Sequence, residues 1–157
     1  MRINWDEYFM NIVEAVAERS TCDRGKVGAV AVLDKRIIAT GYAGSPSGLP
    51  HCSEAGHLIH EVVEEDGKIS KHCIRTIHAE QNVIVQAAKY GIALKGASLY
   101  CTMVPCYVCA KMIVNAGIVR VMAKKRYHAD KLTLKLFKES GVKLDILTDE
   151  LEKYDNQ

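Results

Sequence analysis

The chain lacks the features that mark membrane, secreted and nucleic-acid-coating proteins. Its 157 residues contain no apolar run near the ~18 residues that a membrane-spanning helix needs. The segment 1–10 carries Arg2, Asp6 and Glu7 where a signal peptide has its apolar centre. The formal net charge is only +2 and no block of five like charges occurs. These absences predict a cytoplasmic protein that binds neither a membrane nor a nucleic acid.

The composition is typical of one globular domain. The chain is 48% hydrophobic and 25% charged, without internal repeats or low-complexity tracts. A chain of this length can bury a substantial apolar core without cross-links. We therefore expect a single domain over residues 1–157, in which residues 148–157 form a polar tail.

Cysteine is frequent for a chain expected in a reducing compartment. Cytoplasmic thiols stay reduced, so repeated cysteines indicate metal binding or catalysis before disulfides. The six are Cys22, Cys52, Cys73, Cys101, Cys106 and Cys109.

Hydrophobic spacing in the first half predicts a helix, a hairpin and a long irregular region. The helix is expected over 4–20, and the two strands over 27–33 and 36–42. A loop rich in turn formers follows over 41–52. Residues 54–63 are compatible with a helix, and the polar stretch 64–71 resembles a surface insertion.

Strands and helices alternate in the second half. This alternation predicts right-handed crossovers in an α/β fold, a three-layer α/β/α domain around a central five-stranded mixed sheet. Helices are expected over 79–89, 106–116 and 129–139, and strands over 98–104, 118–123 and 142–147.

Two short motifs carry the chemistry. His78-Ala79-Glu80 and Pro105-Cys106-Tyr107-Val108-Cys109 each stand at the predicted start of a helix. One imidazole and two thiolates are good zinc ligands, and a catalytic site keeps its fourth place for water. Cys106 and Cys109 can face the same way at a helix N-terminus, where the helix dipole favours thiolate.

Glu80 is the expected catalytic residue. It stands two residues after the histidine, near enough to reach a zinc-bound water without ligating zinc itself. Zinc lowers the pKa of that water towards ~7, and the carboxylate can move its proton. The combined pattern is the known signature of zinc-dependent base deaminases, in which hydroxide attacks the base. The alternative is a structural zinc knuckle completed by Cys101 or Cys73, which leaves Glu80 and Pro105 unexplained.

Together with further segments, these motifs resemble the cytidine and deoxycytidylate deaminase superfamily, and specifically its dCMP deaminases. The resemblance covers residues 5–147. It implies a cytidine-deaminase-like fold, a zinc cofactor and the hydrolysis of dCMP to dUMP and ammonia, with attack at C4 of cytosine. It also implies dCTP and dTTP as effectors and a homohexamer. The supporting segments are 19–22, 27–30, 40–48, 72–82 and 110–117.

The same resemblance identifies Ala43, Ala79, Pro105 and Tyr127 as substrate-binding positions. In relatives an aromatic residue at Tyr127 packs on the base or the sugar. Relatives also carry asparagine where this chain has Ala43, so one hydrogen bond to the substrate is missing. Three explanations stay open: the chain was altered, another residue supplies the contact, or the substrate differs from dCMP.

A second, structural zinc is a further hypothesis. Some relatives hold one with cysteines and a histidine at comparable places. The expected ligands are Cys22, Cys52, His72 and Cys73, with His57 as a substitute. The alternative is that these cysteines are small buried hydrophobic residues.

Three basic residues are candidates for binding phosphate or an effector nucleotide. Arg24 and Lys26 precede the first predicted strand, and His128 follows Tyr127. The alternative for each is an ordinary solvated charge.

Two other functions compete with dCMP deamination. One is the same chemistry on cytidine, dCTP or adenosine in tRNA. The low net charge argues against tRNA, because binding a phosphate backbone needs a basic patch. The other is a non-catalytic, zinc-containing nucleotide sensor, which would not need Glu80.

Overall fold

The structure, a computed structural model, describes residues 1–153. The last part of the expected polar tail, 154–157, lies outside the described residues. The helices are α1 (Trp5–Ala17), α2 (Cys52–Ala55), α3 (Ala79–Tyr90), α4 (Tyr107–Asn115) and α5 (Lys131–Ser140). The strands are β1 (Gly28–Leu33), β2 (Arg36–Tyr42), β3 (Ile59–Val63), β4 (Ile69–Cys73), β5 (Ser98–Met103), β6 (Arg120–Lys125) and β7 (Lys143–Ile146).

The central sheet has five strands in the order β2-β1-β5-β6-β7. Strand β1 pairs antiparallel with β2 and β5, whereas β5, β6 and β7 run parallel. The parallel half follows from the helical crossovers α4 and α5, which return each strand to the same end of the sheet. The expected mixed five-stranded α/β sheet is confirmed.

The alternation of side chains along β1 separates the two helical layers. Val30 and Val32 pack with Phe9 and Val13 of α1 on one face. Ala29 and Ala31 belong to the larger core on the other face, which includes residues of α3, α4 and α5. Successive strand residues point to opposite faces, so one apolar strand serves both layers. None of the helices within residues 1–153 is long and apolar enough to cross a membrane.

The expected helix over 54–63 was wrong. Helix α2 is a single turn that ends before Gly56, whose φ of 75° cannot continue a helix. Residues 59–63 and 69–73 instead form the antiparallel hairpin β3–β4. Its turn contains Asp66-Gly67, with φ of 81° at Gly67. The segment expected to be a surface insertion is therefore the turn and second strand of a hairpin.

A half-buried cluster of charged side chains joins α1 to the sheet. The guanidinium of Arg120 donates to both carboxylate oxygens of Asp6 at 2.9 Å, and its Nε donates to Asp145 at 2.8 Å. The Tyr100 hydroxyl donates to Asp6 at 2.6 Å. These contacts, led by the Arg120 hydrogen bond, lower the pKa of Asp6 below its ordinary 3.8.

Replacing Asp6 by asparagine is expected to lower the free energy of unfolding by about 1 kcal/mol at neutral pH. Because the pKa of Asp6 is lowered by folding, its stabilisation is present above pH 3.8 and disappears as the pH falls through the lowered value. Urea unfolding of wild type and Asp6→Asn, from neutral pH to below pH 3.8, measures how the difference in free energy of unfolding changes with pH. Asp34→Asn, at an exposed turn position, is the control, and a pH-independent difference would contradict the argument.

Candidate active site

The two motifs lie side by side where α3 and α4 begin. His78 immediately precedes α3, and Cys106 immediately precedes α4. Gly41 of β2 permits the close approach of α3, since a Cβ there would lie 2.4 Å from the carbonyl oxygen of Ala79. The Asn82 side-chain amide donates to the Tyr42 carbonyl at 2.7 Å and fixes the same contact. The start of α3 is thereby held against the sheet.

Three ligand atoms converge as zinc requires. His78 Nδ1 lies 3.5 Å from Cys106 Sγ and 3.4 Å from Cys109 Sγ. Tetrahedral zinc, with its usual bond lengths, places neighbouring nitrogen and sulfur ligands about 3.6 Å apart. Within residues 1–153, the only His, Cys, Asp or Glu atoms grouped here belong to these three residues. Three protein ligands and an open fourth place are typical of a catalytic zinc site.

The structural knuckle is not supported. Cys101 is fully buried in β5, with its Sγ 3.7 Å from the Met122 carbonyl oxygen. Cys73 belongs to a separate cluster. Neither thiol completes a four-ligand site with His78.

The electrostatics of the site fit a divalent cation. The Cys109 and His78 side chains lower the pKa of Cys106 to about 4. The Cys106 hydrogen bond and burial raise the pKa of Cys109 well above its ordinary value. Without a cation only the Cys106 thiol ionises readily, so a second thiolate at Cys109 needs a positive charge beside it, which a bound zinc ion would supply.

Glu80 lies in the first turn of α3 and is 4% exposed. Burial raises its pKa above the ordinary 4.5. The residue contributes to the wall of a cavity of about 730 Å³ that also includes His78 and Cys106. A buried carboxyl beside a metal site and an open cavity is suited to moving protons between water and a bound molecule.

The expected substrate residues divide into two groups. Ala43, Ala79 and Tyr127 line the cavity. Pro105 is buried, and its carbonyl oxygen accepts from the Thr133 hydroxyl at 2.9 Å. Pro105, which directly precedes Cys106 and α4, therefore contacts α5, and it is not among the cavity-lining residues.

The three candidate phosphate residues occupy different positions. Arg24 lies at the cavity and donates to the Lys71 carbonyl at 3.1 Å. Lys26 pairs with Glu18 and is not among the cavity-lining residues. His128 packs on Tyr127, with ring centroids 4.4 Å apart. Arg24 is thus the best placed of the three for an anionic group at the cavity.

The hairpin β3–β4 forms a cavity wall that was not expected from the sequence. The Asp66-Gly67 pair was a hairpin signal and could have revealed it. The remaining wall residues depend on tertiary packing. The unexpected wall residues include Val62, Val63, Glu64, Glu65, Lys71, Met103, Tyr107, Val108 and Leu132.

A second metal-compatible cluster adjoins the cavity, with ligands that differ from the expectation. Cys22, Cys52, His57 and Cys73 place their ligand atoms within 4.8 Å of one another. His72 is not in this cluster, because neighbouring residues of strand β4 point to opposite faces. His57, named as the substitute, takes the fourth position.

The spacing within this cluster also fits tetrahedral zinc. Cys22 Sγ lies 3.6 Å from His57 Nδ1, and Cys52 Sγ lies 3.7 Å from Cys73 Sγ. Tetrahedral zinc predicts about 3.6 Å and about 3.8 Å for these two kinds of pair. The other imidazole nitrogen of His57 lies 3.0 Å from Asp23. A carboxylate behind a ligating histidine is a common way to orient the ring.

Comparison with known proteins gives a consistent family. Residues 3–125 match the family model for the cytidine and deoxycytidylate deaminase zinc-binding region. The chain is 43% identical to ComE operon protein 2 of Bacillus subtilis, over 92% of this chain and 71% of that protein. It is 40% identical to the deoxycytidylate deaminase of Mycobacterium phage D29, over 79% of this chain and 97% of that one.

A solved structure shows the same fold. The dCMP deaminase of cyanophage S-TIM5, crystallised with dCMP and dUMP, superimposes with a TM-score of 0.74 and 33% identity. The match covers 93% of this chain and 98% of that one. Sequence, fold and zinc-ligand geometry agree, and the chain belongs to the zinc-dependent cytidine and deoxycytidylate deaminase family.

Proposed function

We propose that the chain hydrolyses dCMP to dUMP and ammonia. The observation that carries the proposal is the placement of buried Glu80 beside the His78, Cys106 and Cys109 ligand atoms at one cavity. The dCMP deaminase with dCMP and dUMP bound has the same fold, which supports this substrate.

In the proposed reaction, water adds at C4 of cytosine, the C4–N4 bond breaks and the amine leaves as ammonia. His78, Cys106 and Cys109 would hold zinc, which supplies the Lewis acidity that makes water nucleophilic near neutral pH. Glu80 takes one proton from the water and delivers it to the ring nitrogen N3, and it then transfers the second proton, from the new C4 hydroxyl, to the leaving amine as the C4–O bond becomes a carbonyl. Its burial keeps this proton away from bulk solvent.

The other cavity residues would orient the nucleotide. Tyr127 is 9% exposed and is positioned to pack against the base or the sugar. Arg24 is positioned to hold the phosphate by charge-assisted hydrogen bonds. A cavity of about 730 Å³ with a cation at its edge is suited to a small anionic ligand.

An ultraviolet deamination assay on dCMP, CMP, deoxycytidine and dCTP tests the substrate. We expect dCMP to give the highest kcat/KM. Deoxycytidine should give a lower kcat/KM, because it lacks the phosphate that Arg24 would bind. Arg24→Gln should reduce the difference in kcat/KM between dCMP and deoxycytidine, and this reduction would identify Arg24 as the phosphate contact. A higher kcat/KM for CMP, deoxycytidine or dCTP than for dCMP would overturn the assignment to dCMP.

Restoring an asparagine at position 43 is expected to raise kcat/KM for dCMP roughly two- to tenfold. Ala43 is held on both sides, since its N–H donates to Val27 and its carbonyl accepts from Thr21, each at 3.0 Å. The side chain borders the cavity, and one neutral hydrogen bond contributes about 0.5–1.5 kcal/mol. Steady-state kinetics of Ala43→Asn, with exposed Ala55→Asn as the control, measures the change. Lower kcat/KM in Ala43→Asn alone would indicate a pocket adapted to a different contact.

We also propose two zinc ions per chain, one catalytic and one structural. The structural ion would be bound by Cys22, Cys52, His57 and Cys73. Their spacing and the carboxylate of Asp23 behind His57 support it. Cys22 and Cys73 also line the cavity, so this ion would stiffen one wall of the site.

For the assembly we propose a cytoplasmic homohexamer of single-domain chains, regulated by dCTP and dTTP as the family resemblance implies. Exposed apolar side chains on α3 and α4 support an oligomer, because such faces are normally covered. Light scattering with and without each nucleotide measures the mass and its response. The exposed residues are Val85 at 47%, Tyr90 at 67%, Tyr107 at 38% and Val108 at 53%.

A further inference from the structure

A third cluster of metal-ligating side chains lies between the hairpin and the rest of the domain. Glu64 is in the β3–β4 turn, His72 is on β4, and His128 follows β6. Glu64 Oε1 lies 2.7 Å from His72 Nε2 and 3.3 Å from His128 Nε2. Segments far apart in the sequence therefore direct one carboxylate and two imidazoles at a common point.

We propose that Glu64, His72 and His128 bind a divalent first-row transition-metal ion. Two imidazole nitrogens and one carboxylate oxygen are a donor set that zinc, cobalt and nickel accept. Ligands of tetrahedral zinc of this kind lie about 3.4 Å apart. The Glu64–His128 distance of 3.3 Å is close to that value, and the Glu64–His72 pair, at 2.7 Å, would open by about 0.7 Å.

The charge of the cluster favours a cation over an anion. A phosphate needs protonated imidazoles or other donors directed at it. Here the Glu64 carboxylate lies between the two rings and would repel a phosphate. The Ser70 hydroxyl, in hydrogen-bond contact with both Glu64 and His72, adds a neutral oxygen to the same point.

The site is recessed but open to solvent. The exposed fractions of the side chains are 12% for Glu64, 26% for His72 and 28% for His128. An ion can therefore enter from solution and keep one or more water ligands. This distinguishes the cluster from the cysteine cluster, in which two of the thiols are buried.

The position of the site gives it a role at the cavity. Glu64 and His72 contribute to the cavity wall, and His128 packs on Tyr127, which also lines it. A bound ion would join the hairpin to the segment after β6 and hold this wall in place. Glu65, next in the turn, already accepts a hydrogen bond from Leu132 N–H at the start of α5, at 3.1 Å. The ion would therefore reinforce an existing contact.

Calorimetric titration with Zn²⁺ and Ni²⁺ tests the site in the full chain, after the thiolate sites have been saturated with zinc. Wild type should bind one further ion, and His128→Gln and Glu64→Gln should weaken its affinity at least about tenfold. His72 is left unchanged because its neighbour Cys73 belongs to another cluster. Glu61→Gln, which makes the same change as Glu64→Gln at an exposed carboxylate of β3 outside the three clusters found among residues 1–153, is the matched control.

Hydrogen exchange gives a second reading that does not depend on activity. Added Ni²⁺ should slow exchange in residues 59–73 of wild type and leave the His128→Gln variant unchanged. No further ion in folded wild type, or equal binding by His128→Gln, would overturn the proposal. Wild type could instead bind inorganic phosphate. If His128→Gln weakened that binding equally with and without added metal, the cluster would be an anion site and the proposal would be overturned.

Discussion

Glu80→Gln is expected to lower kcat for dCMP by roughly 10²- to 10⁴-fold while leaving the zinc content unchanged. Glutamine keeps the size of the side chain but cannot accept and return a proton. Because Glu80 is not among the ligating atoms of the His78, Cys106 and Cys109 cluster, the metal should be retained. The effect should fall mainly on kcat, since the carboxyl acts on the reacting atoms.

Steady-state kinetics and metal analysis on the same protein sample measure both quantities. Glu61→Gln makes the same chemical change at an exposed position of β3 and should leave kcat within a factor of about two. A Glu80→Gln variant with near wild-type turnover would support the non-catalytic sensor. A variant that has lost its zinc would instead place Glu80 in a structural role.

Cys52→Ala is expected to remove one of two zinc ions and to lower the free energy of unfolding by several kcal/mol. The free energy of binding a structural zinc is part of the free energy of folding, because the unfolded chain does not hold the ligands together. Cys52 and Cys22 are buried, and Cys73 and His57 lie close to them. Activity should also fall, since Cys22 and Cys73 line the cavity.

Cys101→Ala is the matched control for this experiment. Cys101 is fully buried but lies outside both zinc clusters, so its replacement should keep both ions. A loss of about 1 kcal/mol from the small cavity is expected. Metal analysis and thermal unfolding separate the two variants. A single zinc in wild type, unchanged in Cys52→Ala, would contradict the structural site.

The chemistry of this chain was predictable because it is local in the sequence. His78 and Glu80 lie two residues apart, Cys106 and Cys109 lie three apart, and each pair begins a helix. The two cysteines, three residues apart, therefore face the same way whatever the rest of the fold does, and Glu80 lies in the helical turn that directly follows His78. The alternation of strands and helices after residue 78 similarly determined the parallel half of the sheet.

The second metal cluster was only partly predictable, because it depends on the strand that carries Cys73. His72 and Cys73 are equivalent choices when residues 69–73 are not recognised as a strand. Once they form β4, alternate side chains face opposite ways, so the two residues join different clusters. His57 supplies the fourth side chain of the cluster, because the loop after α2 places its Nδ1 3.6 Å from Cys22 Sγ.

The contacts around His128 could not be predicted from local patterns. Glu64 and His128 are 64 residues apart and meet only because the hairpin folds over the end of β6. The motif that contains Pro105 was recognised from the sequence, but the hydrogen bond between Pro105 and Thr133 of α5 could not be predicted from it. Both outcomes depend on tertiary packing.

The most direct test of the central claim is the identity of the product formed from dCMP in water labelled with heavy oxygen. Wild type should release one ammonia for each dUMP, and the dUMP should carry one labelled oxygen at C4. Mass spectrometry of the product, with Glu80→Gln as the inactive control, makes the measurement. Unlabelled product, or no dUMP from a protein with its catalytic zinc bound, would contradict the assignment of this site to dCMP hydrolysis.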